Sequence, residues 1–125
     1  MSKRAPELFI QDMLEAIEKI EKYTSSIEDL EDFMGKDMVV DAVLRNLEII
    51  GEAAKNIPED LRSKYREIPW NRVVGLRNVV IHGYFAVDLE IVWVIVRKQL
   101  PELKEVLLKM IEELEKSKSK IDKEE

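Results

Sequence analysis

Apolar residues recur with the spacing of an α-helix along almost the whole chain of 125 residues. Side chains three, four and seven positions apart share one face of an α-helix, so this pattern predicts helices that each bury one side. The first predicted helix covers residues 6–23. The pattern is broadest in the helix that follows Asp37, whose apolar face consists of Val40, Val43, Leu44, Leu47, Ile50, Ala54 and Ile57.

The expected ends of the helices come from capping residues, glycines and prolines. Ser25 with Glu28 three residues later is typical of a capping box and predicts a short helix, which Gly35 ends. Asp37 is expected to cap the next helix, and Pro58 ends it because a residue before proline is pushed out of the helical conformation. Further helices are predicted over residues 59–65, 70–82 and 88–100.

The β-branched run at residues 87–96 is the one place where a strand competes with a helix. A lone strand has no neighbour to pair with, so we predict a buried helix at the centre of the fold, capped by Asp88. The apolar pattern continues after Pro101, and the polar residues beyond Lys116 are expected to fray. The sequence thus predicts an all-α antiparallel bundle of about five to six helices, with one domain over residues 1–116 and a polar tail over 117–125.

Composition excludes several classes of function. The chain has no cysteine, so disulfides, thiolate nucleophiles and cysteine-based metal sites are excluded. Neither the G-x-G-x-x-G motif nor the P-loop motif, which bind phosphate groups, occurs in the sequence. Their absence argues against most enzymes that use nucleotide cofactors. Residues 1–6 lack the apolar core of a signal peptide, and no apolar run approaches the ~20 residues that span a bilayer. We expect a soluble cytoplasmic protein without membrane contact.

Four polar side chains interrupt the apolar stretch of residues 73–85, and they are the candidate functional residues: Arg77, Asn78, His82 and Tyr84. Burial of a polar group costs free energy unless the group finds a hydrogen-bond partner. These side chains therefore pair with each other, bond to the backbone, or line a cleft that contains water. A lone histidine with satisfied hydrogen bonds in the core is the ordinary explanation. The sequence alone leaves both interpretations open.

Helical geometry limits how Arg77 and His82 can meet. Five residues along one straight helix place them about 140° apart around its axis. The two side chains converge only if the helix ends near Gly83, or if a second copy of the chain supplies one of them. A dimer with twofold symmetry and this segment at its interface would bring the pairs together.

Arginine and histidine together suit cleavage of RNA by its own 2′-hydroxyl group, without a metal. Histidine transfers protons near neutral pH, and the planar guanidinium group donates several hydrogen bonds to a phosphate that gains charge. The net charge of −6 argues against binding of nucleic acid. Residues 55–77, however, contain six basic and three acidic side chains, and this local charge of +3 would attract phosphate unless it is simply a solvated face.

The remaining candidates have simpler explanations. Glu48 and Glu52 are four residues apart on a helix and can face each other or a metal, but the chain has no second histidine. Arg45 is expected to form an ion pair with one of them. Trp70 and Trp93 are expected to anchor the core or an interface. We therefore predict no metal and no cofactor.

The arrangement Arg77-x4-His82-x-Tyr84 resembles the motif of the HepT-like toxins, within the HEPN superfamily. The flanking residues agree at 42–54, at 68–70 and at 87–93, and the resemblance extends over residues 12–104. It implies an all-α HEPN bundle that forms a homodimer, with the Arg77 and His82 pairs in a shared cleft. Asn78 and Glu52, within or beside the matching segments, are expected to support the site.

The resemblance also implies an activity and a partner. It points to a metal-independent endoribonuclease, the toxin of a type VII toxin–antitoxin system, with Arg77 and His82 as catalytic residues and RNA as substrate. The cognate antitoxin would be a protein of the nucleotidyltransferase fold that transfers AMP to Tyr84. Two alternatives remain: a non-catalytic helical dimer that binds nucleotide or a nucleotidyltransferase, and the antidote member of such a pair.

Overall fold

Helices make up nearly all of the computed structural model, which describes residues 5–78 and 88–124, with side chains up to residue 118. The first range contains α1 (Pro6–Thr24), α2 (Leu30–Met34), α3 (Asp37–Lys55), α4 (Glu59–Arg62) and α5 (Trp70–Val74). The second contains α6 (Leu89–Val94), a π-helix (Ile95–Gln99) and α7 (Leu100–Glu124), which follow one another without a break. Neither range contains a strand, so the predicted all-α class is confirmed for them.

One apolar core joins the long helices. Helix α1 packs against α3 and α7, and α3 also packs against α5. The predicted apolar faces point into this core: Ile10, Met13, Ile17, Ile20, Val43, Leu47, Ile50, Leu107 and Met110 have no exposed surface. Full burial of such a side chain contributes about 1.5–3 kcal/mol, so these faces hold the bundle together.

For helices α2 and α6, two of the predicted ends are confirmed and one is wrong. Gly35 ends α2, and the Asp88 side chain caps α6 by accepting hydrogen bonds from the amides of Glu90 and Ile91. The cap of α2 is Asp29 rather than Ser25. The Ser25 hydroxyl instead donates to the Lys22 carbonyl oxygen at 2.9 Å and belongs to the end of α1.

The helices between residues 37 and 78 are shorter or begin differently than predicted. The cap of α3 is Lys36, and Asp37 is the first residue of the helix. At this position its negative charge interacts favourably with the positive end of the helix dipole. Helix α4 stops at residue 62, and α5 stops at residue 74, where Gly75 interrupts it. Residues 76–78 are helical again, and the rest of the helix predicted to residue 82, with Gly83, lies outside the described residues.

The β-branched segment is helical, but it is only partly buried. Val92, Ile95 and Val96 lie in the core, whereas Ile91 is 55% and Val94 40% exposed. The prediction of a deeply buried helix is therefore right for its inner face and wrong for its outer face. The π-helix ends two residues before Pro101, whose nitrogen has no proton for the usual helical hydrogen bond, and the wider turn lets the helix continue past it.

The last helix includes the polar end of the chain. Helix α7 reaches Glu124, and the fraying of residues 117–125 stays a prediction. Closer to the core, the buried Tyr65 hydroxyl donates a hydrogen bond to Glu113 of α7. Burial and the neighbouring Glu113 carboxylate raise the pKa of Tyr65 to about 12, so the phenol stays protonated and the bond is maintained at neutral pH. None of the described helices is both long and apolar enough to cross a bilayer.

Candidate functional site

The backbone before Arg77 lies directly against α3 at Gly51. A methyl group at position 51 would be 2.7 Å from the Arg77 amide nitrogen and 3.0 Å from the Val74 carbonyl oxygen. Real Cβ atoms essentially never come as close to a backbone atom as the first of these distances. Glycine is therefore required at this position, and the contact fixes where the chain presents Arg77 relative to α3.

Arg77 also contacts α3 through its side chain. Its Nε atom lies 2.8 Å from Oε1 of Glu52, the residue that follows Gly51. The Arg77 side chain is 38% exposed and that of Glu52 45% exposed. An ion pair with this exposure contributes only about 0–1 kcal/mol to stability.

A shallow cleft of about 270 Å³ lies beside this pair, between α1 and α3. Glu52 lines it together with Asp12, Arg45, Glu48 and Asn56. Arg45 forms the predicted ion pair with Glu48, at 3.4 Å. Three carboxylates and one guanidinium group give the cleft an acidic balance, so the cleft itself is unsuited to phosphate.

The basic segment is not a uniform face for RNA. The Arg62 guanidinium group donates hydrogen bonds to the carbonyl oxygens of Ala54, Lys55 and Ile57, at distances of 2.9–3.1 Å. These carbonyls lie at and just beyond the end of α3, where helical partners are missing. The Arg62 side chain therefore caps the C-terminal end of α3. Of the three basic residues 62, 64 and 66 considered for an RNA surface, Lys64 and Arg66 are the exposed ones.

The two tryptophans serve the structure, as predicted. Trp70 is buried, and its indole N–H donates to the carbonyl oxygens of Arg62 and Tyr65. Trp93 is half-buried, and its ring lies 5.0 Å from that of Phe33 in a stacked arrangement.

The structure places some of the predicted site residues. Arg77 and Glu52 are brought together. Asn78 is exposed, and its backbone N–H donates to the Gly75 carbonyl oxygen at 2.9 Å, so a role for its side chain stays a prediction. His82 and Tyr84 lie outside the described residues. Within the described parts, no group of three carboxylates or histidines could hold a metal ion.

Sequence reasoning missed how Gly51 and Glu52 meet Arg77. Glu52 was considered as a partner of Glu48, of Arg45 or of a metal, whereas its acceptor oxygen faces Arg77. A signal was available in Gly51, because a glycine inside a strongly apolar helical pattern commonly marks a close backbone approach. That signal did not identify the segment that approaches.

Comparison with known proteins identifies the family of this chain. The family model for HepT-like ribonucleases ("Ribonuclease HepT-like") matches residues 13–110. A protein of Thermococcus cleftensis named "Probable ribonuclease HepT" is 44% identical over 102 residues, which are 82% of this chain and 92% of the relative. A protein of Methanocaldococcus jannaschii, "Gamma-glutamylcyclotransferase and putative RNase", is 45% identical over 112 residues, 90% of this chain.

The chain spans only 50% of the length of that second relative. No solved structure matches the chain significantly. The family match covers α1 from Met13 onward, all of the helices α2 to α6, and α7 as far as Met110. It includes Gly51, Glu52 and Arg77, the residues that the fold brings into contact. The chain belongs to the HepT-like ribonuclease family.

Proposed function

We propose that the protein is a metal-independent endoribonuclease that acts as the toxin of a toxin–antitoxin pair in the cytoplasm. The observation that supports it most is Arg77, half-exposed at the surface and oriented by Glu52 within a chain of the HepT-like ribonuclease family. Both relatives described above carry ribonuclease names, and one is a ribonuclease HepT. Among the side chains present, a guanidinium group and an imidazole five residues apart fit this chemistry.

The reaction requires one proton acceptor, one proton donor and a clamp for phosphate. His82 removes the proton of a ribose 2′-hydroxyl, whose oxygen attacks the adjacent phosphorus, and the bond to the 5′-oxygen breaks. The leaving 5′-oxygen takes up a proton from a second imidazole. Arg77 donates hydrogen bonds to the phosphate oxygens as their negative charge increases. The products are a 2′,3′-cyclic phosphate and a 5′-hydroxyl end.

The need for two imidazoles supports a homodimer. Each chain has one histidine, so a reaction in which imidazoles serve as both the acid and the base draws them from two copies. A twofold axis through the segment that contains His82 would place both Arg77–His82 pairs in one cleft.

RNA cleavage in the presence of EDTA tests this function. We expect the purified protein to cut single-stranded RNA under these conditions and to leave a cyclic phosphate on the 5′ fragment. The control is the double variant Arg77→Ala/His82→Ala, purified in the same way, which must leave the RNA intact. RNA that stays intact with the wild-type protein would favour the non-catalytic binding alternative instead.

The partner in this proposal is an antitoxin of the nucleotidyltransferase fold, which inactivates the toxin by transferring AMP to Tyr84. The phenol oxygen attacks the α-phosphorus of ATP, pyrophosphate leaves, and the phenol loses its proton. The added phosphate brings negative charge and bulk two residues from His82, so it repels and obstructs the phosphate of RNA.

Mass spectrometry after incubation with the antitoxin and ATP tests the modification. The chain has three tyrosines, and the other two provide internal controls. Tyr65 is 6% exposed and hydrogen-bonded to Glu113, whereas Tyr23 is 37% exposed. We expect adducts in multiples of AMP on Tyr84 and none in Tyr84→Phe. Adducts on Tyr23 would indicate modification by exposure alone and would contradict the proposal.

A further inference from the structure

We propose that Glu52 is a positioning residue for Arg77, and that it sets the edge of the guanidinium group that faces the RNA phosphate. The proposal rests on the ribonuclease function proposed above. It starts from the ion pair between Glu52 Oε1 and Arg77 Nε, at 2.8 Å. Glu52 does not touch the substrate in this arrangement, and its effect passes through Arg77.

The atom that Glu52 contacts is the reason for this role. A guanidinium group is planar and presents a fork of donors that matches two oxygens of a phosphate. A carboxylate oxygen 2.8 Å from Nε restricts the last torsion angles of the arginine and therefore the plane of the group. The Nη1 and Nη2 atoms, on the edge opposite to Nε, remain aligned to donate two parallel hydrogen bonds.

Two contacts at adjacent residues of α3 act together. Gly51 fixes the backbone of Arg77, because the Arg77 amide nitrogen would be 2.7 Å from a Cβ atom at that position. Glu52 fixes the far end of the same side chain. An arginine held at both its backbone and its Nε has little freedom left, which lowers the entropy lost when phosphate binds.

The charge of Glu52 opposes this benefit to some degree. A carboxylate beside Arg77 weakens the attraction of the guanidinium group for an anion, and the neighbouring cleft already contains Asp12 and Glu48. Both side chains of the pair are more than one-third exposed, so water screens this long-range effect. Orientation is a contact effect and is not screened, so we expect it to dominate.

Three variants separate orientation from charge. Glu52→Ala removes both the acceptor and the charge, and we expect kcat to fall about 10-fold to 100-fold with a smaller change in KM. Glu52→Gln keeps an acceptor oxygen and removes the charge, so it should recover a substantial part of kcat. Glu48 lies one helical turn before Glu52. Glu48→Ala breaks its ion pair with Arg45 and should leave kcat close to that of the wild type.

Two outcomes would overturn the proposal. If Glu52→Ala and Glu52→Gln both raise activity, the carboxylate restrains RNA binding by its charge. If Glu52→Ala cleaves as fast as Glu48→Ala, the ion pair has no role in positioning. Equal melting temperatures of these two alanine variants would show that a loss of folding does not explain a loss of activity.

The NMR signal of the Arg77 Nε–H group gives a readout that does not depend on cleavage. We expect slow proton exchange in the wild type, in Glu52→Gln and in Glu48→Ala, and fast exchange in Glu52→Ala. Fast exchange in all four proteins would contradict the proposal. If the wild type does not cut RNA but this pattern of exchange is found, the ribonuclease function fails while the positioning of Arg77 by Glu52 stands.

Discussion

Replacement of His82 or Arg77 by alanine is expected to reduce RNA cleavage more than any other single change in this protein. General acid–base catalysis by a positioned histidine contributes about 10²–10⁴-fold to a rate, and His82→Ala should lose this factor. Removal of a donor to the oxygens of the reacting phosphate costs about 10²–10³-fold, which sets the expectation for Arg77→Ala. The measurement is the rate constant for single-turnover cleavage of a labelled RNA in EDTA.

Arg72→Ala is the matched control for Arg77→Ala. Arg72 is exposed on α5, five residues before Arg77, so its replacement changes the net charge equally. Any effect of Arg72→Ala should be a weakening of long-range attraction that disappears as the salt concentration is raised. The loss in Arg77→Ala should persist at high salt. Full activity in either the His82 or the Arg77 variant, with an unchanged fold, would refute the assigned roles.

Gly51→Ala is expected to damage both stability and activity. In an open helix, exchange of glycine for alanine stabilises by about 1 kcal/mol, because glycine loses more conformational entropy on folding. Here the new methyl group would meet the Arg77 amide nitrogen at 2.7 Å and the Val74 carbonyl oxygen at 3.0 Å. Neither backbone atom can rotate away as a flexible side chain can. Overpacking costs about 1–3 kcal/mol, and after the gain of about 1 kcal/mol is subtracted we expect a net loss of stability of up to about 2 kcal/mol.

The backbone shift that relieves these close contacts should also separate Arg77 from Glu52. We expect at least a 10-fold loss of cleavage at a temperature where the variant is fully folded. Chemical unfolding and single-turnover cleavage, measured on the same preparation, check the two effects. Gly35→Ala is the control, because a methyl group there would meet its nearest atoms at 3.6–3.7 Å, an ordinary contact distance. A Gly51→Ala protein as stable and active as Gly35→Ala would show that α3 does not fix the position of Arg77.

Much of the fold could be predicted because burial follows the periodicity of each helix. Ile10, Met13 and Ile17 on α1, and Val43, Leu47 and Ile50 on α3, are all fully buried as their spacing indicates. Local capping was less certain, since more than one polar residue can serve. Ser25 fits the pattern of a helix start, but its hydroxyl bonds to the preceding helix, and Asp29 caps α2.

The candidate site could be predicted only in its residue types. Arg77 and Glu52 are 25 positions apart, and nothing local selects Glu52 from the many carboxylates of the chain as its partner. Arg62 shows the same limit. Its sequence neighbours suggest a basic surface, whereas its guanidinium group bonds to carbonyl oxygens five to eight residues earlier. Such contacts depend on how elements pack, and neither charge nor periodicity contains that information.

The wide turn at Ile95–Gln99 lies within one long helical rod. A π-helical turn contains one residue more than an α-helical turn, and one residue corresponds to about 100° of rotation. Because the wide turn holds its extra residue within one full rotation, loss of that residue would restore an ordinary α-helical turn and leave Leu103, Leu107 and Met110 facing the core. Loss of one residue from the α-helical part of α7 would instead rotate every later side chain by about 100°, so the π-helix is the place where this continuous helix best tolerates a change of length.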